Sequence, residues 1–440
     1  MIFTETKQIL KGVSGRFRNC ELTAIVGTSG CGKTSLLNVL SGYTTENVSG
    51  DIEMANAKRS YIMQMESMHM LFTIQESMMF SINVRNGSQM SIEEKNSKVQ
   101  KVLESLGLEK HKNSFVRNLS GGQLKRLSIA QELLDDPTVM FFDEPTTGLD
   151  SASAKLCIQL LRSLALKGKT IVCTIHTPSG LLLKQFDHMY AMTDGRCIYQ
   201  GSSENLITFL SESGLECPAS YNPCDFLTEI ANGEYGDHNS ELCKKISNGK
   251  SEKFRYENSK MICQNFEPKL RKTSSNFLHQ LWFLMIRNIL IMYRDLSNMW
   301  LRLGIHVLCS SVVSLVFVNV GSDGAKAISN IKLIYGFSTF ILYTNYYSMV
   351  SRFPLEKSVI KREHFNKWYS AEAYYLALTV TDIPITIVCT NIAVILAYDI
   401  TGQPAEFSRF QMLSLSQTLM SFVSQGLGLL VGSCFDLQVK

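Results

Sequence analysis

The sequence predicts an α/β domain followed by an all-α transmembrane domain. A glycine-rich turn follows an apolar run early in the chain, a second apolar run ends in two carboxylates, and long apolar stretches occupy the C-terminal part. At 440 residues, the chain is long enough for two or three domains. The net charge of +4 is too small to argue for nucleic-acid binding, so we expect no nucleic-acid partner.

The glycine-rich turn reads GTSGCGKT and spans Gly27–Thr34, between an apolar run and a helix. It matches the pattern G-x-x-x-x-G-K-[ST], in which glycines let backbone N–H groups approach phosphate oxygens. Lys33 supplies a point charge for the β- and γ-phosphates, and the Thr34 hydroxyl is a ligand for Mg²⁺. We therefore predict an α/β P-loop NTPase domain that binds ATP and Mg²⁺. Its nucleotide-binding residues here are Gly27, Thr28, Ser29, Gly30, Cys31, Gly32, Lys33, Thr34 and Ser35.

A second apolar run, Thr138–Pro145, is typical of a buried parallel strand and ends in two carboxylates. Because successive strand residues point in opposite directions, neighbours at a strand end can take different tasks. Asp143 is predicted to hold Mg²⁺, directly or through water. Glu144 is predicted to polarise the attacking water as a catalytic residue.

Two more apolar runs lead to polar side chains. KTIVCTIH ends at His176, and SYIMQME contains Gln64, which can reach either Mg²⁺ or the attacking water. In open α/β sheets, ligands gather at the carboxyl ends of the strands. We therefore expect Gly27, Asp143 and His176 at one sheet edge. Gln64 is a candidate metal ligand, and Gln64 and His176 join Glu144 as candidate catalytic residues.

A second candidate anion site lies in NLSGGQLKRLSIAQELL, residues 118–134. Ser120 with Gln123 three residues later predicts a capping box at the start of a helix. That cap does not require Gly121 and Gly122, which cost helix stability but permit close backbone approach to a phosphate. One chain therefore carries two phosphate-binding elements.

Four apolar stretches predict membrane spans, because a spanning helix needs about 20 mainly apolar residues. Two of them contain ionisable residues, His306 and Asp382, which we interpret as facing protein or the interface, with a substrate role as the alternative. The predicted spans are Leu303–Val320, Leu333–Val350, Leu376–Tyr398 and Phe410–Phe435.

The loop between the second and third spans predicts the orientation in the membrane. It is rich in basic residues, so the positive-inside rule places it, the ATPase domain and the C-terminus in the cytosol. Residues 276–296 have an apolar stripe with Arg287 and Arg294 off it, which predicts an amphipathic helix at the cytosolic interface. A fifth spanning helix is the alternative. The basic residues of the loop are Arg352, Lys357, Lys361, Arg362 and Lys367.

These predictions divide the chain into four parts. Residues 1–235 form the nucleotide-binding domain, and residues 297–440 form a partial transmembrane domain with four spans. Between them, residues 236–275 are polar and dense in mixed charge, which predicts a linker ahead of the connecting helix 276–296.

Taken in order, GTSGCGKT, Gln64, LSGGQ, VMFFDE, TGLD and His176 resemble the nucleotide-binding domain of ATP-binding-cassette (ABC) transporters. The ATPase precedes the membrane domain. The stretches ILKGVSGRF, FFDEPTTGLDS, NPCDFLTEI and REHFNKWYSAEAYYLALTVTDIPI are similar to the G subfamily of White-type half transporters. Within that subfamily, the chain most resembles the animal branch that exports lipids and sterols.

The resemblance implies roles that spacing alone does not give. Ser120–Gln123 looks like the signature motif, which touches the γ-phosphate of ATP held by a partner subunit. Thr147–Asp150 resembles the loop between the two ATP sites, so Asp150 joins the nucleotide-binding residues. His176 resembles the switch histidine that senses the γ-phosphate. The chain is therefore expected to hydrolyse ATP only as a dimer with a second half transporter.

Some positions depart from the subfamily pattern. Leu124 stands where a basic residue is common, Thr177 stands where glutamine is common, and Phe3 is the candidate for an adenine-stacking aromatic. The subfamily has six spans, whereas this sequence stops at Lys440 after four. We expect either an incomplete sequence or a short product.

The leading hypothesis is an ATP-driven exporter of a small hydrophobic substrate, with the lipid or sterol class favoured. It is expected to be a multi-pass protein in contact with membrane lipids, with the plasma membrane favoured over an intracellular membrane. The alternative is a truncated, non-transporting partner that regulates a full-length half transporter by dimerisation.

Overall fold

A computed structural model describes residues 7–54, 58–65, 67–87, 90–218, 220–255 and 275–435. The chain divides into two units, Met1–Ser274 and Ser275–Lys440. The first is an α/β unit and the second is helical, in the order that the sequence predicts.

The N-terminal unit contains a sheet whose described strands follow the order β2-β3-β4-β1-β5-β6. The first five strands are parallel, and β6 runs antiparallel to β5. Asp194 and Gly195, both with positive φ, form the tight turn that joins β5 to β6. The strands are β1 Leu22–Gly27, β2 Arg59–Ile62, β3 Val139–Phe142, β4 Thr170–Thr174, β5 His188–Thr193 and β6 Arg196–Gly201.

Helices α2, α3 and α4 form a separate helical cluster with its own apolar core, which includes Met78, Ile82 and Leu103. Capping boxes at Thr73 and Ser91 fix the starts of α2 and α3. The helices of this unit are α1 Lys33–Ser41, α2 Ile74–Asn86, α3 Ile92–Ser105, α4 Gly121–Leu133, α5 Ser151–Leu166, α6 Gly180–Leu183, α7 Asn205–Ser211, α8 Pro223–Ala231 and α9 Asn239–Lys245.

The described part of the predicted linker is folded. Helix α9 buries Leu242, and Phe254 forms a bridge to Gly201 at the end of β6. Arg255 donates a hydrogen bond of 2.5 Å to Glu21. Apolar residues spaced between the charges give this segment a face to bury, so residues 239–255 belong to the N-terminal unit. Residues 256–274 lie outside the described part of the chain.

Within residues 275–435, the C-terminal unit has five long helices, the last four of which overlap the four predicted spans. Helices α11 and α13 are long and apolar enough to cross a membrane by length and composition. Helix α12 passes through Pro354 and continues to Phe365, so most of the predicted second-to-third loop is helical. The helices are α10 Phe277–Arg294, α11 Leu296–Val316, α12 Ala327–Phe365, α13 Ala371–Ile400 and α14 Phe407–Cys434.

Helix α10 has the polarity expected of a helix at a membrane interface. Its buried residues include Gln280, Arg287 and Asn288, whereas Trp282 and Tyr293 are among its exposed ones. A helix of a water-soluble protein buries its apolar face instead. This inverted pattern fits the predicted interfacial position, in which apolar side chains enter the headgroup region.

Candidate nucleotide-binding site

The phosphate loop is shaped by its glycines. Gly27 ends β1 with φ of 148°, and a Cβ there would lie 2.1 Å from the carbonyl oxygen of Met192, so the position excludes a side chain. Gly30 and Gly32 have φ of 77° and 102°, in the left-handed region that favours glycine. Helix α1 begins immediately afterwards at Lys33. The bare loop and the helix N-terminus together form a cradle suited to an anion.

Lys33 is held over this loop. Its side chain is buried, and its Nζ donates hydrogen bonds of 2.9 Å to the carbonyl oxygens of Gly27 and Thr28. The ammonium group is therefore held against the backbone of the loop, and its predicted contact with the phosphates remains a prediction.

The predicted metal ligands Thr34 and Asp143 are neighbours. The Thr34 hydroxyl donates to Asp143 Oδ1 over 3.1 Å, and the Thr174 hydroxyl donates to the same oxygen over 2.7 Å. In the part of the chain that is described, no group of three or more His, Cys, Asp or Glu side chains is placed to hold a metal ion. One hydroxyl and one carboxylate nevertheless suit Mg²⁺, which prefers oxygen ligands and shares them with substrate phosphates.

Glu144 occupies a strained position directly after Asp143. Its φ of 46° is unusual for a residue with a side chain, and its backbone N–H donates to Thr174 Oγ1 over 2.9 Å. Its carboxylate accepts hydrogen bonds from Gln64 Nε2 at 2.8 Å and from Thr147 Oγ1 at 2.9 Å. The structure thus brings two predicted catalytic residues, Gln64 and Glu144, into direct contact.

Thr174 was missed by sequence reasoning. It ends β4, and its hydroxyl joins Asp143 Oδ1 to the backbone of Glu144, so it fixes both carboxylate residues. The available signal was its place in KTIVCTIH, two residues before His176. A threonine in an apolar strand is common, so its position alone did not indicate this role.

His176 follows β4 on the same edge of the sheet. It is exposed, and its Nδ1 lies 3.4 Å from the hydroxyl of Thr177, a residue with φ of 37°. No hydrogen bond joins His176 to Glu144 or Gln64 in the described structure. Its predicted role as a sensor of the γ-phosphate remains a prediction.

The sheet order explains why these residues meet. Strands β2, β3, β4 and β1 are consecutive and parallel, so their carboxyl ends lie at one edge. Gln64 follows β2, Asp143 follows β3, His176 follows β4 and Gly27 ends β1. The shared edge predicted from the sequence is therefore present.

The predicted capping box at the start of α4 is present. Gln123 N donates to Ser120 Oγ over 3.3 Å, and Ser120 N donates to Gln123 Oε1 over 3.0 Å. Ser120 and Gly121 are exposed. A Cβ at Gly122 would lie 3.3 Å from the side chain of Ser153, so close packing against α5 is one reason for that glycine.

Two other predicted positions have structural partners within this chain. Asp150 caps helix α5 by accepting from the N–H of Ser153 over 3.2 Å, and this hydrogen bonding lowers the pKa of its carboxyl. Leu124 packs against the apolar core of the helical cluster, which accounts for an apolar residue there. Phe3 lies outside the described residues.

Asp382 and His306, the ionisable residues of the predicted spans, face the interior of the C-terminal unit. Arg302 Nη1 lies 2.9 and 3.0 Å from the two carboxylate oxygens of Asp382. His306 Nδ1 lies 2.9 Å from the carbonyl oxygen of Arg302, and its Nε2 lies 3.4 Å from Thr344 Oγ1. The protein-facing interpretation of both residues agrees with this geometry. The sequence analysis missed Arg302, which lies one residue before the predicted span.

The interior of this unit holds further partners of the ion pair. Arg302 Nη2 donates to Asn345 Oδ1 at 3.0 Å and to Thr386 Oγ1 at 2.9 Å. Gln425 Nε2 donates to Asp382 Oδ2 at 2.6 Å. Helices α11, α12, α13 and α14 each supply at least one member. This set, which we call the intramembrane polar network, comprises Arg302, Asn345, Asp382, Thr386 and Gln425.

A P-loop ATPase unit with a signature-like helix, followed by a helical membrane unit, defines an ABC transporter chain. Residues 10–147 match the family described as ABC transporter, and residues 279–439 match the ABC-2 type transporter family. The N-terminal unit is therefore an ABC ATPase domain, and the C-terminal unit is a membrane domain. More particularly, the chain is similar to members of the G family of ABC transporters and to related half transporters such as protein white.

Three relatives illustrate that similarity. ABC transporter G family member 13 of Arabidopsis thaliana is 29% identical over 90% of this chain and 67% of its own length. Protein white of Drosophila melanogaster is 28% identical over 97% of this chain and 66% of its own length. The broad substrate specificity ATP-binding cassette transporter ABCG2 of Bos taurus is 26% identical over 98% and 72%, respectively. The chain spans about two thirds of the length of these relatives, and plant and animal proteins match at similar identity.

Proposed function

We propose that the chain is a half transporter that hydrolyses ATP as a dimer and exports a hydrophobic substrate across a membrane. One observation carries the proposal. The same unit presents a complete phosphate cradle at Gly27–Thr34 and, on α4, an exposed helix N-terminus at Ser120–Gln123. Two such chains can each supply one half of two sites.

The chemistry of one site follows from the residues at the sheet edge. The loop and Lys33 bind and orient the phosphates, and Thr34 and Asp143 would hold Mg²⁺. When bound, that ion would supply positive charge next to the phosphate oxygens. The Glu144 carboxylate accepts a hydrogen bond from the attacking water and so orients it. Gln64 donates to the same carboxylate and keeps it in place.

A complementation experiment tests whether the site is shared. Two single variants are compared. Lys33→Ala disables the phosphate cradle of its chain, and Ser120→Arg blocks the signature helix of its chain. A dimer made of either variant alone therefore has no intact ATP site. In a mixed dimer, the cradle of the Ser120→Arg chain meets the signature of the Lys33→Ala chain. Random pairing then restores about a quarter of wild-type ATP turnover per chain, because half of the dimers have one intact site. Mixtures no more active than the separate variants would contradict the shared site.

We place the ATPase unit on the cytosolic side, because Lys and Arg are concentrated in residues 352–367. The lipid or sterol class of substrate is supported by resemblance to the exporting branch of the family. Inside-out membrane vesicles containing the chain should accumulate a fluorescent sterol or phospholipid analogue with ATP, and the Glu144→Gln chain should not. Accumulation that appears only after a longer half transporter is added would favour the regulatory alternative.

A further inference from the structure

Helix α4 carries a buried lysine that reaches the segment containing Gln64. Lys125 is 3% exposed, and its Nζ lies 3.3 Å from the carbonyl oxygen of Met63 and 3.5 Å from that of Gln64. Lysine is almost never this buried unless its ammonium group has partners. Burial of this ammonium group costs desolvation free energy, and its contacts join the signature-like helix to the segment after β2.

We propose that Lys125 is a positioning residue that sets Gln64 against Glu144 according to the position of α4. The inference rests on the proposed function, because it assigns α4 to a nucleotide site shared between chains. Lys125 acts on hydrolysis through the backbone on both sides of the Met63–Gln64 peptide bond.

The surroundings of Gln64 make this contact important. Strand β2 is at the end of the described sheet and pairs with β3 alone, so the segment after Ile62 has sheet support on one side. Lys125 contacts that segment from the helical cluster. The Gln64 side chain then donates to Glu144 Oε2 over 2.8 Å. A displacement of Lys125 is therefore expected to change that hydrogen bond through the backbone at Met63 and Gln64.

Helix α4 is joined to its cluster at a second point, far from Lys125. Arg85 of α2 and Glu132 of α4 form a buried ion pair of 2.7 Å, which joins the far end of α4 to its neighbour. Lys125 lies five residues after Ser120, about 7.5 Å along the helix. Contact of Ser120 with a nucleotide on a partner chain would therefore be transmitted to Gln64 over one and a half turns.

The chain offers a matched control for a purely structural role. Lys95 of α3 is also buried, at 5% exposure, and its Nζ donates to the carbonyl oxygen of Gly87 over 2.8 Å. It lies in the same helical cluster, and among the described residues no hydrogen bond joins it to the Gln64 segment. Lys95→Met therefore removes the same kind of buried ammonium–carbonyl contact as Lys125→Met.

ATP turnover of the full chain in lipid nanodiscs is the first measurement. Lys125→Met should lower kcat about tenfold while ATP affinity stays within about twofold of wild type, because the catalytic geometry changes and the cradle does not. Lys125→Arg should keep most of the activity, and Lys95→Met should leave kcat near wild type. If the methionine variant cannot be purified, Lys125→Gln makes the same comparison.

A double-mutant cycle and hydrogen exchange separate positioning from stability. In a Gln64→Ala background, Lys125→Met should lower kcat by less than about twofold further, because the group it positions is gone. Hydrogen exchange should be faster in residues 60–65 of Lys125→Met but not of Lys95→Met, and this readout does not require hydrolysis. Equal effects of Lys125→Met and Lys95→Met, or full additivity with Gln64→Ala, would overturn the inference. An inactive wild-type dimer would instead contradict the proposed function.

Discussion

The two units of this chain assemble their polar residues in different ways. In the ATPase unit, the groups that meet at the sheet edge come from short motifs that end consecutive parallel strands. In the membrane unit, the intramembrane polar network joins residues on four helices, and Arg302 and Asp382 are 80 positions apart in the sequence. The first arrangement follows from strand order, whereas the second depends on how helices pack.

The charged groups of the two arrangements also differ in their exposure to solvent. Gln64 and Thr34 are exposed beside Glu144 and Asp143, so this edge is open to a substrate. Arg302 and Asp382 have side-chain exposures of 9% and 5% and hydrogen-bond to neighbouring helices. We infer that the polar groups of the ATPase unit serve chemistry and that those of the membrane unit fix helix packing.

The largest expected effect is at Glu144. Glu144→Gln keeps the size of the side chain and one acceptor oxygen but removes the negative charge that attracts a proton from water. We expect ATP affinity to be retained and turnover to fall on the order of 100-fold or more. Nucleotide titration and phosphate release in nanodiscs measure the two quantities. Glu93→Gln, a change to an exposed acid in α3, is the control. Normal turnover in Glu144→Gln would remove the catalytic role.

Breaking the intramembrane ion pair should give the next largest effect, on stability. Asp382→Asn leaves the Arg302 charge buried without its counter-charge, which should lower the free energy of unfolding by about 3 kcal/mol. Unfolding by SDS in mixed micelles measures this change. Arg302→Met combined with Asp382→Leu should recover much of the loss, since neither buried charge then remains.

The control for that experiment is an exposed ion pair in the same unit. Arg409 and Glu406 lie 2.8 Å apart with side-chain exposures of 62% and 53%. Solvent screens such a pair, so Arg409→Met should cost less than about 1 kcal/mol. Asp382→Asn with an equally small cost would mean that the buried network does not fix the helix packing.

These differences explain how far sequence reasoning reached. The P-loop, the two carboxylates and the four apolar stretches are local patterns, and their positions agree with the structure. The hydroxyl of Thr174, the contact of Lys125 and the partner of Asp382 depend on residues distant in sequence, so no local pattern contains them. Residues 236–255 are mostly polar, which predicted a linker. The segment is nevertheless folded, because its few apolar residues, such as Leu242 and Phe254, are nearly all buried.

A substitution of Lys33 tests nucleotide binding by the ATPase site, whose residues come from short sequence motifs. Lys33→Ala removes the ammonium group above Gly27 and Thr28, so ATP affinity should fall by about 10- to 100-fold, as expected for the loss of a charge-assisted contact. Titration with a fluorescent ATP analogue measures the change. Lys167→Ala, at an exposed position after α5, should bind as wild type does. Unchanged affinity in Lys33→Ala would contradict the assignment of the cradle.

His188 breaks the simple contrast between the units, because it is a buried polar residue of the ATPase unit that belongs to no motif. It is 1% exposed on β5, and neither ring nitrogen has a hydrogen-bond partner in the described structure. Burial, aided by Arg255 and Arg18, lowers the pKa of its imidazole from 6.5 to about 3. Folding therefore favours the neutral ring.

The sign of the pH effect follows directly. Between pH 6.5 and about 3, the unfolded chain binds a proton at His188 and the folded chain does not, so stability falls as pH falls. At pH 5, the loss amounts to about 2 kcal/mol relative to pH 7. His188→Gln should remove this part of the pH dependence, measured as the shift in unfolding midpoint between pH 7 and pH 5, whereas His111→Gln at an exposed position should not. If both variants keep the wild-type shift, the acid sensitivity of the ATPase unit comes from other groups. In that case, His188 is no exception to the contrast between polar groups that serve chemistry in the ATPase unit and polar groups that fix helix packing in the membrane unit.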